Sequence, residues 1–195
     1  VMFATLAASV WMAVTSQPIV ALFYERGLFD SADTTHCASA LLFLALGISA
    51  WAMQALVARG FYAMQDTWSP MIIASSVTAL AIPVYWQLAN SPMKHNGLAL
   101  ATTIGVATTA LVTLFMLHRK LPLQLGQLAV SILRSSLVAA SAGALSWVAL
   151  NHGSNSADWV RVLLSFGVFV VTTAVLSAVT RAPEFRTLVR WALRR

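Results

Sequence analysis

The chain has 195 residues, of which 59% are hydrophobic and only 9% charged, with a net charge of +6. A soluble domain carries about 25% charged residues; in water this composition would expose large apolar patches and aggregate, which excludes an ordinary soluble enzyme. The positive charge does not signal nucleic-acid binding either, because a DNA binder clusters Lys and Arg on a soluble fold, whereas here they occupy the gaps between apolar runs.

Six such runs follow one another at 1–24, 35–57, 71–89, 97–117, 128–150 and 162–180, each 19 to 24 residues long. About 20 apolar residues cross the ~30 Å hydrocarbon core at 1.5 Å per residue. The predicted fold class is therefore all-α: a polytopic membrane bundle of six transmembrane helices. The gaps are short and rich in turn formers, so consecutive helices run antiparallel. A transmembrane β-barrel would alternate over about 10 residues instead, and no solenoid repeat is visible.

The first run opens at Val1-Met2-Phe3, with no basic region and no cleavage site, so it is not a signal peptide. The expectation is that an N-terminal part lies upstream. Near its end stand Gln17 and Pro18. Gln17 is a cavity-lining candidate, with a hydrogen bond to a neighbouring helix as the plainer alternative. Pro18 should kink the span.

The turn that follows carries Glu25, Arg26, Gly27, Asp30 and Asp33. Arg26 with its acidic neighbours forms a candidate gate of salt bridges; the alternative is a solvated loop whose surface pairs contribute little. Gly27, directly after a span, suits a backbone position with positive φ.

The second run holds the lone Cys37, which has no internal disulfide partner, and Gln54, a second cavity-lining candidate. After it come Arg59, Asp66 and Pro70, predicted to lie in a polar turn as gate or hinge elements. Arg59 either snorkels to the interface, pairs with Asp66 or touches a pyrophosphate. Pro70 fits the first turn of the next helix. Pro83 lies inside the third run and should kink it unless neighbours satisfy the freed carbonyl.

In the fifth run, Ser131, Ser135, Ala139 and Gly143 stand at strict i, i+4 spacing. Such a row of small residues lets another helix approach closely. Arg134 lies near enough to one end to snorkel. Beyond Pro183, Arg186, Arg190 and Arg194 share one helical face, and Phe185, Leu188, Val189 and Ala192 share another. Residues 181–195 thus read as an interfacial amphipathic tail directed at anionic headgroups, or else as a solvated tail.

Charge sets the orientation. Alternating gaps place Arg59, Arg119, Lys120, Arg134, Arg181, Arg186, Arg190, Arg194 and Arg195 on one side, and Arg26, Lys94 and Arg161 on the other. Cytoplasmic loops carry the excess of Lys and Arg, so the turn at Asp66 and the C-terminus are expected in the cytoplasm and the turn at Glu25 outside.

Several chemistries find no residues. His36, His95, His118 and His152 lie in separate gaps or span ends without ligand spacing. There is no Gly-rich phosphate loop with a following Lys-Ser/Thr, no intramembrane nucleophile set, and no acidic residue within a span core. No catalytic residue, metal or cofactor is expected.

Three segments carry a resemblance. They are Leu22-Phe23-Tyr24-Glu25-Arg26-Gly27-Leu28-Phe29 with Asp33-Thr34; Arg59-Gly60-Phe61-Tyr62-Ala63 with Asp66-Thr67 and Pro70; and Gly97-Leu98-Ala99-Leu100-Ala101-Thr102. In this order and spacing they resemble the C-terminal half of the MurJ (MviN) lipid II flippases. The resemblance implies the last six spans of a fourteen-span exporter of the multidrug/oligosaccharidyl-lipid/polysaccharide superfamily. Residues 1–118 would close the C-terminal transport lobe, and 119–180 would add two spans lining a groove for the lipid tail.

The implied work is transfer of lipid II, an undecaprenyl-pyrophosphate-linked peptidoglycan precursor, across the bacterial inner membrane. It would proceed by alternating access, driven by an ion gradient or membrane potential, with no enzyme chemistry. The family's head-binding arginines sit on earlier helices. Some members also carry an ion site with Asn and Asp where this chain reads Ala79-Leu80-Ala81-Ile82-Pro83, a departure from that pattern. Another exporter of the same superfamily and a non-transporting membrane scaffold stay open.

Overall fold

The structure is a computed structural model and describes residues 2–92, 95–122, 124–152 and 158–179. The expected amphipathic tail at 181–195 lies outside the described residues. The elements are α1 (Met2–Val14), α2 (Ser16–Tyr24), α3 (Ser31–Ala63), α4 (Trp68–Ala89), α5 (His95–Lys120), α6 (Leu125–His152) and α7 (Asp158–Val179). All are helical. Five are long and apolar enough to cross a membrane, or six if α1 and α2 count as one broken span.

That first span is broken by 67° between α1 and α2. Pro18 has no N–H for the Val14 carbonyl four residues back, and its ring crowds that carbonyl. The chain yields at Thr15, between the two helices. Thr15 is buried, and both its amide and its Oγ1 bond to the Trp11 carbonyl, at 2.9 and 2.7 Å. Pro83 behaves differently. The helix α4 continues through it to Ala89 without a break, and only the Ala79 carbonyl loses its helical donor.

At 33 residues, α3 is roughly 50 Å long at 1.5 Å per residue, well beyond the ~30 Å core. It absorbs segments that the sequence suggests are turns. Arg59 and Gly60 are helical, and the polar turn is confined to 64–67. Both ends of the bundle carry exposed aromatic residues: Tyr24, Trp86, Trp147 and Trp159 at one, Tyr62 and Trp68 at the other. Amphipathic rings of this kind sit at headgroup level.

The helices α3 and α5 run parallel, with contacts that advance together along both. Ser39 Oγ donates to Asn96 Oδ1 at 2.9 Å, and Thr103 Oγ1 donates to the Phe43 carbonyl at 2.7 Å. Further along, Val57, Phe61 and Leu117 form a buried apolar cluster. Gly47 and Gly60 permit this approach, since a Cβ there would meet Thr103 Oγ1 at 3.1 Å and Leu117 Cδ2 at 2.9 Å.

The small-residue row of α6 is used in packing. Ser135, Ala139 and Gly143 are buried and Ser131 partly so. A Cβ on Gly143 would lie 2.5 Å from Val10 Cγ1 of α1. One turn on, Ser146 Oγ and Ser165 Oγ of α7 are 2.6 Å apart and fully buried. Polar side chains in hydrocarbon find partners on neighbouring helices in this way.

Candidate functional site

Two turns and two pockets gather the polar chemistry of the bundle. The first turn, between α3 and α4, ends α3 with Gln65 in the left-handed region at φ 59°. The Asp66 amide bonds back to the Phe61 carbonyl at 3.0 Å and the Gln65 amide to the Tyr62 carbonyl at 2.9 Å. This Schellman closure satisfies two carbonyls that the helix end would otherwise leave open.

The turn presents Asp66 to the start of α4. Its Oδ1 accepts from the Ser69 amide at 3.0 Å and its Oδ2 from the Ser69 hydroxyl at 2.6 Å. Oδ2 also pairs with Lys120, the last residue of α5. Lys120 Nζ reaches Ser69 Oγ at 3.2 Å and stands 5.3 Å from the centre of the Phe61 ring. The Lys120 ammonium and the two Ser69 donors hold the Asp66 carboxyl well below the usual carboxylate range. Pro70 is buried in the first turn of α4, where its missing N–H costs nothing.

Arg59 does not join this cluster. It is exposed on α3, and no hydrogen bond or ion pair ties it to Asp66 among the described residues. The physical reason is the helix itself. Because α3 runs on to Ala63, Arg59 stays on a helical face more than a turn away from the carboxylate.

The second turn, between α2 and α3, also differs from the expected salt-bridge cluster. Asp30 caps α3, accepting from the amides of Ala32 and Asp33 at 2.9 Å each, and Asp33 returns to the Asp30 amide at 3.4 Å. Arg26 Nη2 donates to the Leu22 carbonyl at 3.4 Å, within its own helix end. Glu25 Oε2 accepts from the buried Thr34 hydroxyl at 3.2 Å. Capping uses the carboxylates that a salt bridge would need. Gly27 takes φ +66° with open space around its missing Cβ, so the demand there is on the backbone and not on packing.

Gln17 and Gln54 line separate pockets. Gln17 faces a space of about 580 Å³ among the ends of α2, α3, α6 and α7, together with Glu25, Asn151 and Arg161. Arg161 Nη2 donates to the Leu150 carbonyl at 3.2 Å, bridging α7 to the end of α6. Gln54 lines about 360 Å³ between α3, α4 and α5, with Trp51, Thr78 and Thr109. Among the described residues no group of three or more His, Cys, Asp or Glu converges as a metal site.

Lys120, Ser69, Thr34 and Arg161 are participants that sequence reasoning did not single out. Capping logic points to Ser69 and Thr34, which stand three and four residues beyond a turn carboxylate. Nothing in the local sequence points Lys120 at Asp66, because that pairing depends on the parallel course of α3 and α5.

Comparison with known proteins places this geometry. A family model described as lipid II flippase MurJ matches residues 1–178. A probable lipid II flippase MurJ of Rhizobium tropici is 36% identical over 124 residues, 62% of this chain and 22% of that protein. One from Rhizobium meliloti (strain 1021) is 29% identical over 184 residues, 91% of this chain and 34% of that protein. The chain therefore spans about a fifth to a third of the length of these relatives. A solved structure of lipid II flippase MurJ in an inward closed conformation superposes with a TM-score of 0.70 at 22% identity. It covers 91% of this chain and 37% of that one, and shares the fold.

Proposed function

The chain belongs to the lipid II flippase MurJ family, and from that membership we propose that it forms the C-terminal part of a flippase moving lipid II across the bacterial inner membrane, in service of peptidoglycan synthesis, cell wall biogenesis and cell shape. The match over residues 1–178 carries this proposal. Residues 1–118 would belong to the moving lobe, and 119–180 would add the helices beside which the lipid tail rides. The C-terminus and the Asp66 turn would face the cytoplasm, as the distribution of Lys and Arg favours.

Physical chemistry supports the division of labour. A pyrophosphate and sugar-peptide head cannot cross hydrocarbon bare, and needs a polar, cation-lined cavity. The polyprenyl tail needs only an apolar surface. Alternating access rocks one helical unit against another about a shared site. The broken α1–α2 span and the pinned Asp66 turn are the places where these helices offer a hinge and a latch. The tail would contact anionic headgroups through its arginines.

The test is rescue of a strain depleted of its own lipid II flippase, with these residues in a full-length flippase and by themselves. The full-length form should restore growth and shape; failure at normal membrane abundance would overturn the flippase assignment. These residues alone should not rescue, and rescue would overturn the need for a second lobe.

A further inference from the structure

The 580 Å³ pocket at the Glu25 end has a lining that neither packing nor the Asp66 latch accounts for. Gln17, Glu25, Thr35, Trp147, Asn151 and Arg161 all face it. One full positive and one full negative charge thus border the same space. Arg161 is tied by its bond to the Leu150 carbonyl across the end of α6. Glu25 Oε2 lies 3.2 Å from the buried Thr34 hydroxyl, whose one proton it shares with the Asp30 carbonyl at 3.0 Å. The pocket is built from α2, the first turns of α3 and α7 and the last turns of α6, level with the exposed Trp147 and Trp159. That is the depth at which helices leave hydrocarbon and lipid headgroups begin.

We propose that this pocket holds the zwitterionic phosphoethanolamine headgroup of a membrane phospholipid, with the phosphate toward Arg161 and the ammonium toward Glu25. A guanidinium matches phosphate oxygens with paired N–H donors. An ammonium brings three donors, which the Glu25 carboxylate accepts. The amides of Gln17 and Asn151 and the Thr35 hydroxyl supply neutral partners for the glycerol ester oxygens. Val14 and Leu150 add apolar surface for the start of the acyl chains. A purely anionic headgroup would satisfy Arg161 but set negative charge against Glu25. A choline headgroup has no N–H to give to Glu25. The volume lies within the ~300–1,000 Å³ of small-molecule sites. A lipid held here ties α2 and α3 to α6 and α7 at the outer end of the bundle. The inference rests on the membrane placement of these helices and not on their cargo, so its test reads binding without transport.

The test is native mass spectrometry of the full chain, delipidated in detergent and then offered phosphatidylethanolamine, phosphatidylcholine or phosphatidylglycerol with identical acyl chains. Phosphatidylethanolamine should be retained about tenfold more strongly than either of the others, as one charge-assisted hydrogen bond provides. Glu25→Gln should remove most of the preference for the ethanolamine over the choline lipid, and Arg161→Gln should weaken retention of the ethanolamine lipid about tenfold. Thr103→Val, in the α3–α5 contact, should change none of this. Soluble phosphoethanolamine should compete and inorganic phosphate should not. Equal retention of the three lipids, a preference for phosphatidylglycerol, or displacement by phosphate alone would overturn the proposal. If Arg161→Gln does not fold, Glu25→Gln decides it, since that exposed carboxylate is changed without loss of volume.

Discussion

Lys120, the last residue of α5, closes an ion pair with Asp66, which lies 54 positions earlier in the turn between α3 and α4. The same ammonium contacts Ser69 of α4 and stands over the Phe61 ring of α3. Three helices are thereby pinned at one point. Directly beneath it lies the only buried apolar cluster among the described residues, Val57, Phe61 and Leu117. Charge pairing at the water interface and packing just inside it act on the same two helix ends.

If this pair is a latch, reversing one partner should weaken transport several-fold while leaving insertion intact, because both residues sit outside the hydrocarbon. Asp66→Lys and Lys120→Asp should each do so, and the double reversal should recover part of the loss. Recovery will be incomplete, since a lysine at position 66 faces the positive end of the α4 dipole and loses the bonds from Ser69. Membrane abundance and rescue of a flippase-depleted strain are the two readouts. Additive losses in the double variant would exclude a direct partnership.

The pH dependence of this contact has a definite sign. The folded Asp66 carboxyl is depressed below its ordinary value of 3.8, chiefly by Lys120. Its stabilising contribution is therefore full above that ordinary value and is lost as pH falls toward the folded value. In detergent, the difference in thermal stability between the parent and Asp66→Asn should stay constant between about pH 5 and 8. Below about 4 the parent should lose stability faster than the Asn variant, as the unfolded carboxyl takes up its proton. Parallel curves through that range would remove Asp66 from the account.

Gly143 provides a packing prediction. A Cβ there would stand 2.5 Å from Val10 Cγ1, and a β-branched side chain in a helix has little freedom to turn away. Gly143→Ala should cost about 1–3 kcal/mol through overpacking. Val10→Ala in the same chain should return most of that, and a thermal melt of the two variants checks it. Gly143→Ala without effect would mean that α1 and α6 separate easily.

Much of this architecture is legible in the sequence because hydrocarbon thickness sets run length. Apolar runs near 20 residues mark the helices, and the small-residue row at Ser135, Ala139 and Gly143 marks a packing face. Helix ends are less legible. Arg59 and Gly60 have the composition of a turn, yet the Schellman closure at Gln65 lets α3 continue to Ala63. Pro18 and Pro83 look alike in sequence and act differently, for only Pro18 has a neighbouring break at Thr15. The pairing of Asp66 and the absence of the Arg26 salt bridges were hidden for separate reasons. Lys120 is remote in sequence, and Asp30 and Asp33 serve helix capping, which outcompetes a surface ion pair.

Gly27 separates a backbone role from a side-chain role. Its φ of +66° lies in the left-handed region, and nothing stands within 4 Å of a Cβ placed there. Gly27→Ala should cost about 1 kcal/mol, the penalty of that conformation for an L-residue, and Gly27→Asn should cost less. A much larger loss in a thermal melt would show that the turn touches another part of the protein. Arg26→Glu, by contrast, removes a single long bond to the Leu22 carbonyl and should leave membrane abundance unchanged. If it also leaves rescue unchanged, the gating role of this turn falls.

Orientation is the prediction on which the other assignments depend. Ser31 and Asn90 lie at one end of the bundle, Gln65 and Gln124 at the other, and all four are exposed. Cys37 is exposed as well, so the background must be Cys37→Ala. Single cysteines at 31 and 90 should react with an impermeant maleimide added to intact spheroplasts. Those at 65 and 124 should react only after the membrane is opened. Nine cations against three, counted over the whole chain, favour this arrangement, because short loops retain Lys and Arg on the cytoplasmic side. Labelling at 65 from outside would reverse the bundle, place the Asp66–Lys120 latch on the outer face, and move the proposed headgroup pocket to the inner leaflet.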